Sequence, residues 1–165
     1  MYFKNINIRK IGTSDQDFLY EMLFQAIFTP KNEPAPSKDI IYKQDLKKYV
    51  ENWGRQGDLG LIAIDHQNKS KVGAIWIRLF NSNNPSYGYI NSNIPELGMA
   101  VMYNYRGLGI GSTLLEKLIQ ESKGLYPAIS LSVHPENPAI KLYENFGFHP
   151  FERSGSSVIM KIDIA

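Results

Sequence analysis

The chain of 165 residues contains no cysteine. Disulfide bonds, thiolate metal sites and a cysteine nucleophile are therefore excluded, and a reducing compartment is the natural expectation. No apolar run approaches the roughly 18 residues of a membrane-spanning helix, and residues 1–5 lack the apolar core of a secretory signal. We expect a cytoplasmic protein that has no membrane partner.

The excess of positive over negative charge is small as well. Lys and Arg number 18 against 16 Asp and Glu, which gives a net charge of +2 at pH 7, and there is no basic run or stripe. This balance argues against nucleic-acid binding. The three histidines, His66, His134 and His149, lack the spacing of metal ligands, so we expect no metal.

The patterns along the chain predict a single domain over residues 1–165, long enough to bury about two-thirds of its unfolded surface. Alternating apolar residues predict strands over 6–9, 59–64, 72–80, 96–101, 129–133 and 158–164. Helical spacing predicts helices after Ser14, over 39–53 with Gly54 as C-cap, after Gly109, and after Asn137. Residues 81–93 are predicted to be a loop. This interleaving predicts an α/β fold, a mixed sheet of about six to seven strands with helices on both faces.

The sharpest local signal is the glycine cluster Arg106-Gly107-Leu108-Gly109-Ile110-Gly111, between a predicted strand and a predicted helix. Glycine in a helix costs roughly 0.5–1 kcal/mol, so a cluster needs a reason. One reason is that free N–H groups at a helix start, together with the helix dipole, bind an anion such as a phosphate. The other is that the turn is merely tight. The glycines alone leave both readings open.

Two familiar phosphate loops are excluded. A Walker loop requires Lys after its last glycine, whereas Ser112 and Thr113 follow Gly111 here. A dinucleotide fold requires G-x-G-x-x-G after the first strand and an acidic residue at the end of the next. This spacing is G-x-G-x-G, it lies past mid-chain, and the next strand ends in Val133 and His134.

With these exclusions, the segment resembles the GCN5-related N-acetyltransferase (GNAT) family. Arg106, Gly109 and Gly111 match its Arg/Gln-x-x-Gly-x-Gly/Ala motif, and a second motif follows in register. That second motif consists of Asn137, Ala139 and Tyr143, closed by Gly147 and Phe148. The resemblance extends from about residue 59 to the C-terminus. It implies a sheet that is splayed between its fourth and fifth strands.

The resemblance also implies a cofactor site for acetyl-CoA. Its pyrophosphate is expected on the N–H groups around the turn, and its pantetheine arm beside the fourth strand, whose unpaired groups it satisfies like an added strand. Asn137 is expected either to add a polar contact or simply to cap its helix. The residues implied are Met99, Ala100, Val101, Arg106, Gly107, Leu108, Gly109, Ile110, Gly111, Ser112, Asn137 and Tyr143.

Acetyl transfer to an amine requires removal of a proton, because an alkylamine is protonated at neutral pH at a cost of roughly 4–5 kcal/mol. Glu96 is the candidate base, since an acid on the splayed strand resembles the base of several family members. Its alternative role is that of a solvated carboxylate at a strand end. Some protein-acetylating relatives carry a glutamate on the next strand, where Ser132 stands here. A water chain or the substrate itself therefore remains an alternative base.

The leaving thiolate requires a proton donor, and Tyr143 occupies the position of the family's general acid. Its alternative role is that of a core tyrosine on an amphipathic helix. The function implied is an N-acetyltransferase that works by direct attack in a ternary complex. The alternative is a non-catalytic acyl-CoA-binding or regulatory module on the same fold.

The acceptor, a small-molecule or peptide amine, is not identified by the sequence. Phe28, Trp53, Tyr87 and Glu96 are candidates for contacting it, with core packing as the alternative for the aromatic residues. Tyr49 and Tyr89 are weaker candidates of the same kind. We expect a monomer or a homodimer, because edge strands such as the last one are a usual dimer contact in this family.

Overall fold

A seven-stranded mixed sheet organises the computed structural model, which describes residues 5–165. The expectations about a secretory signal concern mainly residues 1–4, which lie outside this range. The strand order is β1-β2-β3-β4-β5-β7-β6, and β4 and β5 are parallel. The strands are β1 (Ile6–Lys10), β2 (Leu59–Asp65), β3 (Lys71–Arg78), β4 (Glu96–Val101), β5 (Ala128–Val133), β6 (His149–Ser154) and β7 (Ser157–Asp163).

Four α-helices flank this sheet in the described residues. They are α1 (Gln16–Gln25), α2 (Gln44–Lys47), α3 (Ile110–Ser122) and α4 (Ala139–Asn145). The apolar stripes of α3 and α4 pack on one side, here called the α3 face, together with the odd-numbered residues of β4 and β5. The stripe of α1 packs on the opposite side, here called the α1 face, over Ile62, Trp76 and Ala100. The predicted layered α/β architecture is confirmed.

The predicted long helix over residues 39–53 is wrong. A 3₁₀ turn, Lys38–Tyr42, is followed by Lys43 in an extended conformation and then by the single helical turn α2. The interruption lies at Lys43, whose extended backbone divides the segment, whereas helix-type hydrogen bonds continue beyond it, for example from the N–H of Glu51 to the carbonyl of Lys47 at 2.8 Å. Gly54 does adopt the left-handed conformation expected of a residue that ends a helical segment, with φ of 110°.

The strand β6 was not predicted, and it changes the edges of the sheet. All six of its residues are exposed, Pro150 lies within it, and a register shift follows Pro150, so the sequence lacks the alternation that reveals a strand. Because β6 pairs with β7, the last strand is internal, and the expectation that it forms an edge is wrong. The edges are β1 and β6.

The predicted splay between the fourth and fifth strands is present. Glu96 and Ser130 form the one paired position between β4 and β5 in the described chain, and the N–H of Ser130 donates to the carbonyl of Pro95 at 3.0 Å. Beyond that point the two strands run without pairing. Within residues 5–165, no helix combines the length and the apolar character needed to cross a bilayer.

Candidate active site

The turn between β4 and α3 requires glycine at two positions. Gly107 has φ of 76° and Gly109, the residue before α3, has φ of 88°, both in the left-handed region. A side chain at either position would be strained by about 1–2 kcal/mol. A tight turn, one of the two interpretations of the sequence, therefore explains part of the glycine cluster.

The turn leaves a run of backbone donors free. Within the described residues, no protein group accepts a hydrogen bond from the backbone N–H groups of residues 108–112, and no side chain caps α3. Thr113 is the first satisfied residue, with its N–H donating to the carbonyl of Gly109 at 3.1 Å. Together with the dipole of a 13-residue helix, these donors form a site suited to a phosphate or diphosphate.

The third glycine of the motif, Gly111, has a different role because its backbone is helical. A Cβ built there would lie 3.6 Å from Leu142 and 3.7 Å from Met99, in ordinary contact. It would therefore fit the fold, but it would reduce the space between α3, α4 and β4. The fold itself therefore does not require glycine at position 111.

Arg106 supports the turn. Its Nε donates to the carbonyl of Val101 at 2.8 Å and its Nη2 donates to Oε1 of Gln25 at 3.3 Å. Its guanidinium also lies over the ring of Tyr103 at 5.7 Å. These contacts connect the turn to the end of β4 and to α1.

The β4 backbone has free groups that face the gap toward β5. The N–H of Met102 donates to the carbonyl of Val72 on β3. Because every second residue of an antiparallel strand bonds to the same neighbour, Gly98 and Ala100 also direct their N–H and carbonyl groups to β3. Met99 and Val101 therefore turn theirs toward β5, where no strand pairs with them. An extended, amide-bearing chain could satisfy these groups.

Tyr143 lies on α4, on the α3 face. Its side chain is 8% exposed and its ring makes an edge contact with Phe148 at 5.7 Å. No hydrogen bond joins its hydroxyl to another group of residues 5–165. Burial raises the pKa of Tyr143 to about 12, so the phenol stays protonated at neutral pH. Asn137, in contrast, caps α4, because its Oδ1 accepts from the N–H of Ala139 at 2.9 Å.

Glu96 begins β4 and points to the α1 face, where it is 3% exposed. Its Oε2 accepts a hydrogen bond from the Tyr49 hydroxyl at 2.7 Å, and its Oε1 accepts one from the N–H of Gly88 at 2.7 Å. Burial raises the pKa of Glu96, and the neighbouring groups of Ser86, Tyr49, Gly88 and Lys48 only partly offset that effect. Glu96 is therefore a buried carboxyl rather than a solvated one.

Comparison with known proteins now identifies the family. A model of the Acetyltransferase (GNAT) family matches residues 20–148. This protein belongs to the Acetyltransferase (GNAT) family. Proteins of this family use acetyl-CoA as cosubstrate, and the free N–H groups of residues 108–112 and the unpaired β4 groups fit that molecule.

Solved structures with the same fold are distant in sequence. A spermidine N-acetyltransferase SpeG chimera from Vibrio cholerae and hSSAT is 20% identical, with TM-score 0.62 over 97% of this chain and 96% of that one. The ribosomal-protein-S18-alanine N-acetyltransferase from Escherichia coli is 22% identical, with TM-score 0.65 over 97% and 94%. The smu.2055 protein from Streptococcus mutans UA159 is 23% identical, with TM-score 0.63 over 96% and 99%. The search of curated proteins found no match.

The candidate acceptor residues of this GNAT acetyltransferase do not all lie together. The ring of Phe28 lies 5.3 Å from that of His134, which follows β5. Trp53 is buried in the core beneath α1, with the guanidinium of Arg78 over its ring. Tyr87 is 53% exposed, and its N–H donates to the buried hydroxyl of Tyr49 at 3.0 Å.

Residues 84–88, here called the strap, are the main feature of the site that sequence reasoning missed. Lys48 Nζ donates to the carbonyl of Pro85 at 2.6 Å and to Oδ1 of Asn84 at 3.2 Å, while Tyr49 and Glu96 hold the other end. A Cβ on Gly88 would lie 2.8 Å from Cδ of Glu96 and 2.9 Å from the backbone of Leu131, so only glycine fits. The local sign of this close contact in the sequence is Gly88, which stands between Tyr87 and Tyr89.

No cluster of three or more His, Cys, Asp or Glu residues suited to a metal ion occurs in residues 5–165. Two buried polar atoms on the α1 face lack a hydrogen-bond partner in the same range, the indole Nε1 of Trp76 and the hydroxyl of Ser86. Ser86 belongs to the strap.

Proposed function

We propose that this GNAT acetyltransferase is an N-acetyltransferase that moves the acetyl group of acetyl-CoA to a primary amine by direct attack in a ternary complex. The observation that carries the proposal is a set of unsatisfied groups on β4, on the turn that follows it and on α4. It includes the N–H groups of residues 108–112 and the main chain of Met99 and Val101, and the free hydroxyl of Tyr143 belongs to the neighbouring α4.

The cofactor site is proposed to use each part of this set differently. The N–H groups of residues 107–112 and the dipole of α3 bind the pyrophosphate, while Arg106 holds the turn in place. Met99 and Val101 pair with the pantetheine arm. Ala100 turns its backbone groups to β3 and the side chain of Asn137 caps α4, so these two residues are placed beside the arm without offering it a free hydrogen-bonding group. Bound acetyl-CoA supplies the thioester that reacts.

Negative charge that develops on the carbonyl oxygen is stabilised by a backbone N–H of β4 that faces the gap. Tyr143 donates its proton to the departing sulfur. A phenol with a pKa of about 12 holds its proton at neutral pH, and a thiolate with a pKa near 8.5 accepts one poorly from water, so a positioned donor assists its departure.

Glu96 is proposed as the proton acceptor for the amine. Burial gives it the raised pKa that suits a general base working near neutral pH. Ser132, at the position where some relatives have a glutamate, is no base, which leaves Glu96 as the carboxyl at the closed end of the gap.

The acceptor is proposed to be a small-molecule or peptide amine that approaches on the α1 face, beside Phe28 and Tyr87. Similar folds belong to a spermidine N-acetyltransferase and to a ribosomal-protein-S18-alanine N-acetyltransferase, so both a polyamine and a peptide N-terminus are reasonable probes. One spermidine N-acetyltransferase of this fold is described as dodecameric. For this chain we propose a monomer or a homodimer.

The test is release of free thiol from acetyl-CoA in the presence of an amine panel. The panel contains butylamine, spermidine, an aminosugar and a peptide that begins with alanine. Amine-dependent thiol release, with the acetylated amine identified by mass spectrometry, supports the proposal. Binding of acetyl-CoA without turnover on any amine would instead support a non-catalytic acyl-CoA-binding module.

A further inference from the structure

The carboxyl of Glu96 is covered on every side that an amine could approach. Its two oxygens are occupied by the Tyr49 hydroxyl and the N–H of Gly88, and only 3% of the residue is exposed. A general base must reach the proton it removes within about 3 Å, directly or through one intervening group. With the strap in place, Glu96 requires an intervening group.

The structure leaves one candidate for that group. Gly88 offers a backbone amide, which does not exchange its proton on the time scale of a proton transfer step. The hydroxyl of Ser86 lies close enough to lower the pKa of Glu96, but it does not reach hydrogen-bond geometry with Glu96 or with Tyr49. The Tyr49 hydroxyl is therefore the partner of Glu96 that carries a transferable proton, at 2.7 Å.

We propose that Tyr49 is a catalytic residue that takes the proton of the amine while its own proton passes to Glu96, an inference that rests on the function proposed above. One N–H bond of the protonated amine breaks and its electron pair stays on nitrogen, which becomes the nucleophile. The proton forms an O–H bond with the phenol oxygen as the original O–H proton moves to Oε2 of Glu96. Tyr49 is neutral before and after the step, and Glu96 returns the proton to solvent by the same path.

The phenol oxygen of Tyr49 keeps one acceptor position for this step. It donates one hydrogen bond, to Glu96, and accepts one, from the N–H of Tyr87 at 3.0 Å, which leaves a second lone pair. The side chain lies at the strap, on the α1 face, where the acceptor is proposed to approach. A ring contact with Phe80, at 5.2 Å between centroids, fixes the orientation of the phenol.

The charges around Glu96 are compatible with proton storage there. Lys48 and Tyr49 face it from the turn after α2, and Arg78 lies opposite it on β3. Arg78 is held by Asp58, at 2.8 and 2.9 Å, and Lys48 by Asn84 and Pro85, so neither forms an ion pair with Glu96. Burial, with Glu96 as the next cause, raises the pKa of Tyr49 well above its ordinary value, so the phenol relays a proton rather than ionising.

The test compares Tyr49→Phe, Glu96→Gln and the double variant with the wild type, using whichever amine of the panel the wild type acetylates fastest. Both single variants should lower kcat by about 10²-fold or more, and the double variant should be no slower than either. Both should also lose the same limb of the pH–rate profile. Calorimetry with acetyl-CoA should give the wild-type Kd in all three, which shows that they are folded.

Tyr42→Phe is the matched control, because it removes the hydroxyl of a tyrosine that is 60% exposed and lies outside the site. It should retain kcat and the pH–rate profile. If Tyr49→Phe does not fold, 3-fluorotyrosine at position 49 keeps the hydrogen bond and lowers the pKa of the phenol. Because the phenol relays the proton without ionising, kcat should then change while the Kd of acetyl-CoA stays at the wild-type value.

Several results would overturn the inference. The first is a Tyr49→Phe variant with wild-type kcat and pH–rate profile, and the second is a double variant that loses activity additively. The others are a Tyr42→Phe variant as slow as Tyr49→Phe, and an unchanged kcat with 3-fluorotyrosine at position 49. With an active wild type, each of these contradicts only the role of Tyr49. A wild type that releases no thiol with any amine contradicts the proposed function as well.

Discussion

Glu96 and Ser130 face each other at the one position where β4 and β5 pair in the described chain. The next β4 residues that turn toward β5 are Met99 and Val101, whose main-chain groups meet no strand. Buried backbone groups are almost always paired, so an unpaired stretch in the middle of a sheet indicates a binding position. The closed end at Glu96 and the open end beyond Met99 set the geometry of the whole site.

Amide hydrogen exchange should reveal this unpaired stretch directly. In the free protein, the N–H groups of Met99 and Val101 should exchange faster than those of Gly98 and Ala100, which pair with β3. Acetyl-CoA should slow exchange at Met99, Val101 and residues 108–112, while Gly98 and Ala100 serve as internal controls. Unchanged exchange at these positions at saturating acetyl-CoA would contradict the proposed placement.

Tyr143→Phe should slow transfer without weakening binding of acetyl-CoA. The substitution removes only the hydroxyl, which has no protein partner among residues 5–165, and keeps the ring against Phe148. We expect kcat to fall by about 10²-fold, the usual effect of a lost general acid, with a wild-type Kd from calorimetry. Tyr42→Phe, at a tyrosine that is 60% exposed, should have the wild-type rate. An unchanged rate in Tyr143→Phe would remove this residue from its proposed role.

Gly88→Ala should destabilise the fold, because the added Cβ would lie under 3.0 Å from both Glu96 and the Leu131 backbone. Overpacking of this kind costs about 1–3 kcal/mol, measured as a lower urea midpoint at constant slope. Gly12→Ala is the matched control, since its Cβ would lie 3.7 Å from Asp15, in ordinary contact. Equal stability of the two variants would show that the strap can move to accommodate a side chain at position 88 without a loss in the free energy of unfolding.

Asp15 should make stability depend on pH in the acidic range. Hydrogen bonds from Arg9 are the largest cause that lowers the pKa of this carboxyl well below its ordinary value, with Lys71 and the N–H of Gly12 adding to it. Because the pKa is lower in the folded state, the stabilisation is present above the unfolded pKa of about 3.9 and is lost as pH falls below it.

Asp15→Asn should therefore cost about 1–3 kcal/mol in the free energy of unfolding at pH 7. The difference from wild type should shrink when urea unfolding is repeated toward pH 3. A difference that stays constant over this range would mean that charge at Asp15 contributes nothing.

The sequence predicted those parts of the site that depend on neighbours along the chain. The glycine cluster marked a tight strand-to-helix turn, and the alternation of Leu97, Met99 and Val101 marked β4, because both signals are local. Asn137 marked the start of α4 for the same reason, and its side chain does cap that helix.

The sequence did not predict the parts that depend on distant contacts. Tyr49 and Glu96 are 47 residues apart, and nothing near either residue reveals that they share a hydrogen bond. The helix predicted over 39–53 is divided by the extended backbone of Lys43, and no glycine or proline at that position marks the break in the sequence. The strand β6 is formed by its pairing with β7 and buries none of its side chains, so its sequence carries no periodic signal.

Calorimetric titration of coenzyme A, with pantetheine as the matched ligand that lacks the diphosphate, tests the central claim most directly. If the free N–H groups of residues 108–112 bind a diphosphate, coenzyme A should bind with measurable heat and far more tightly than pantetheine. No heat with coenzyme A, or equal affinity for the two ligands, would contradict the account.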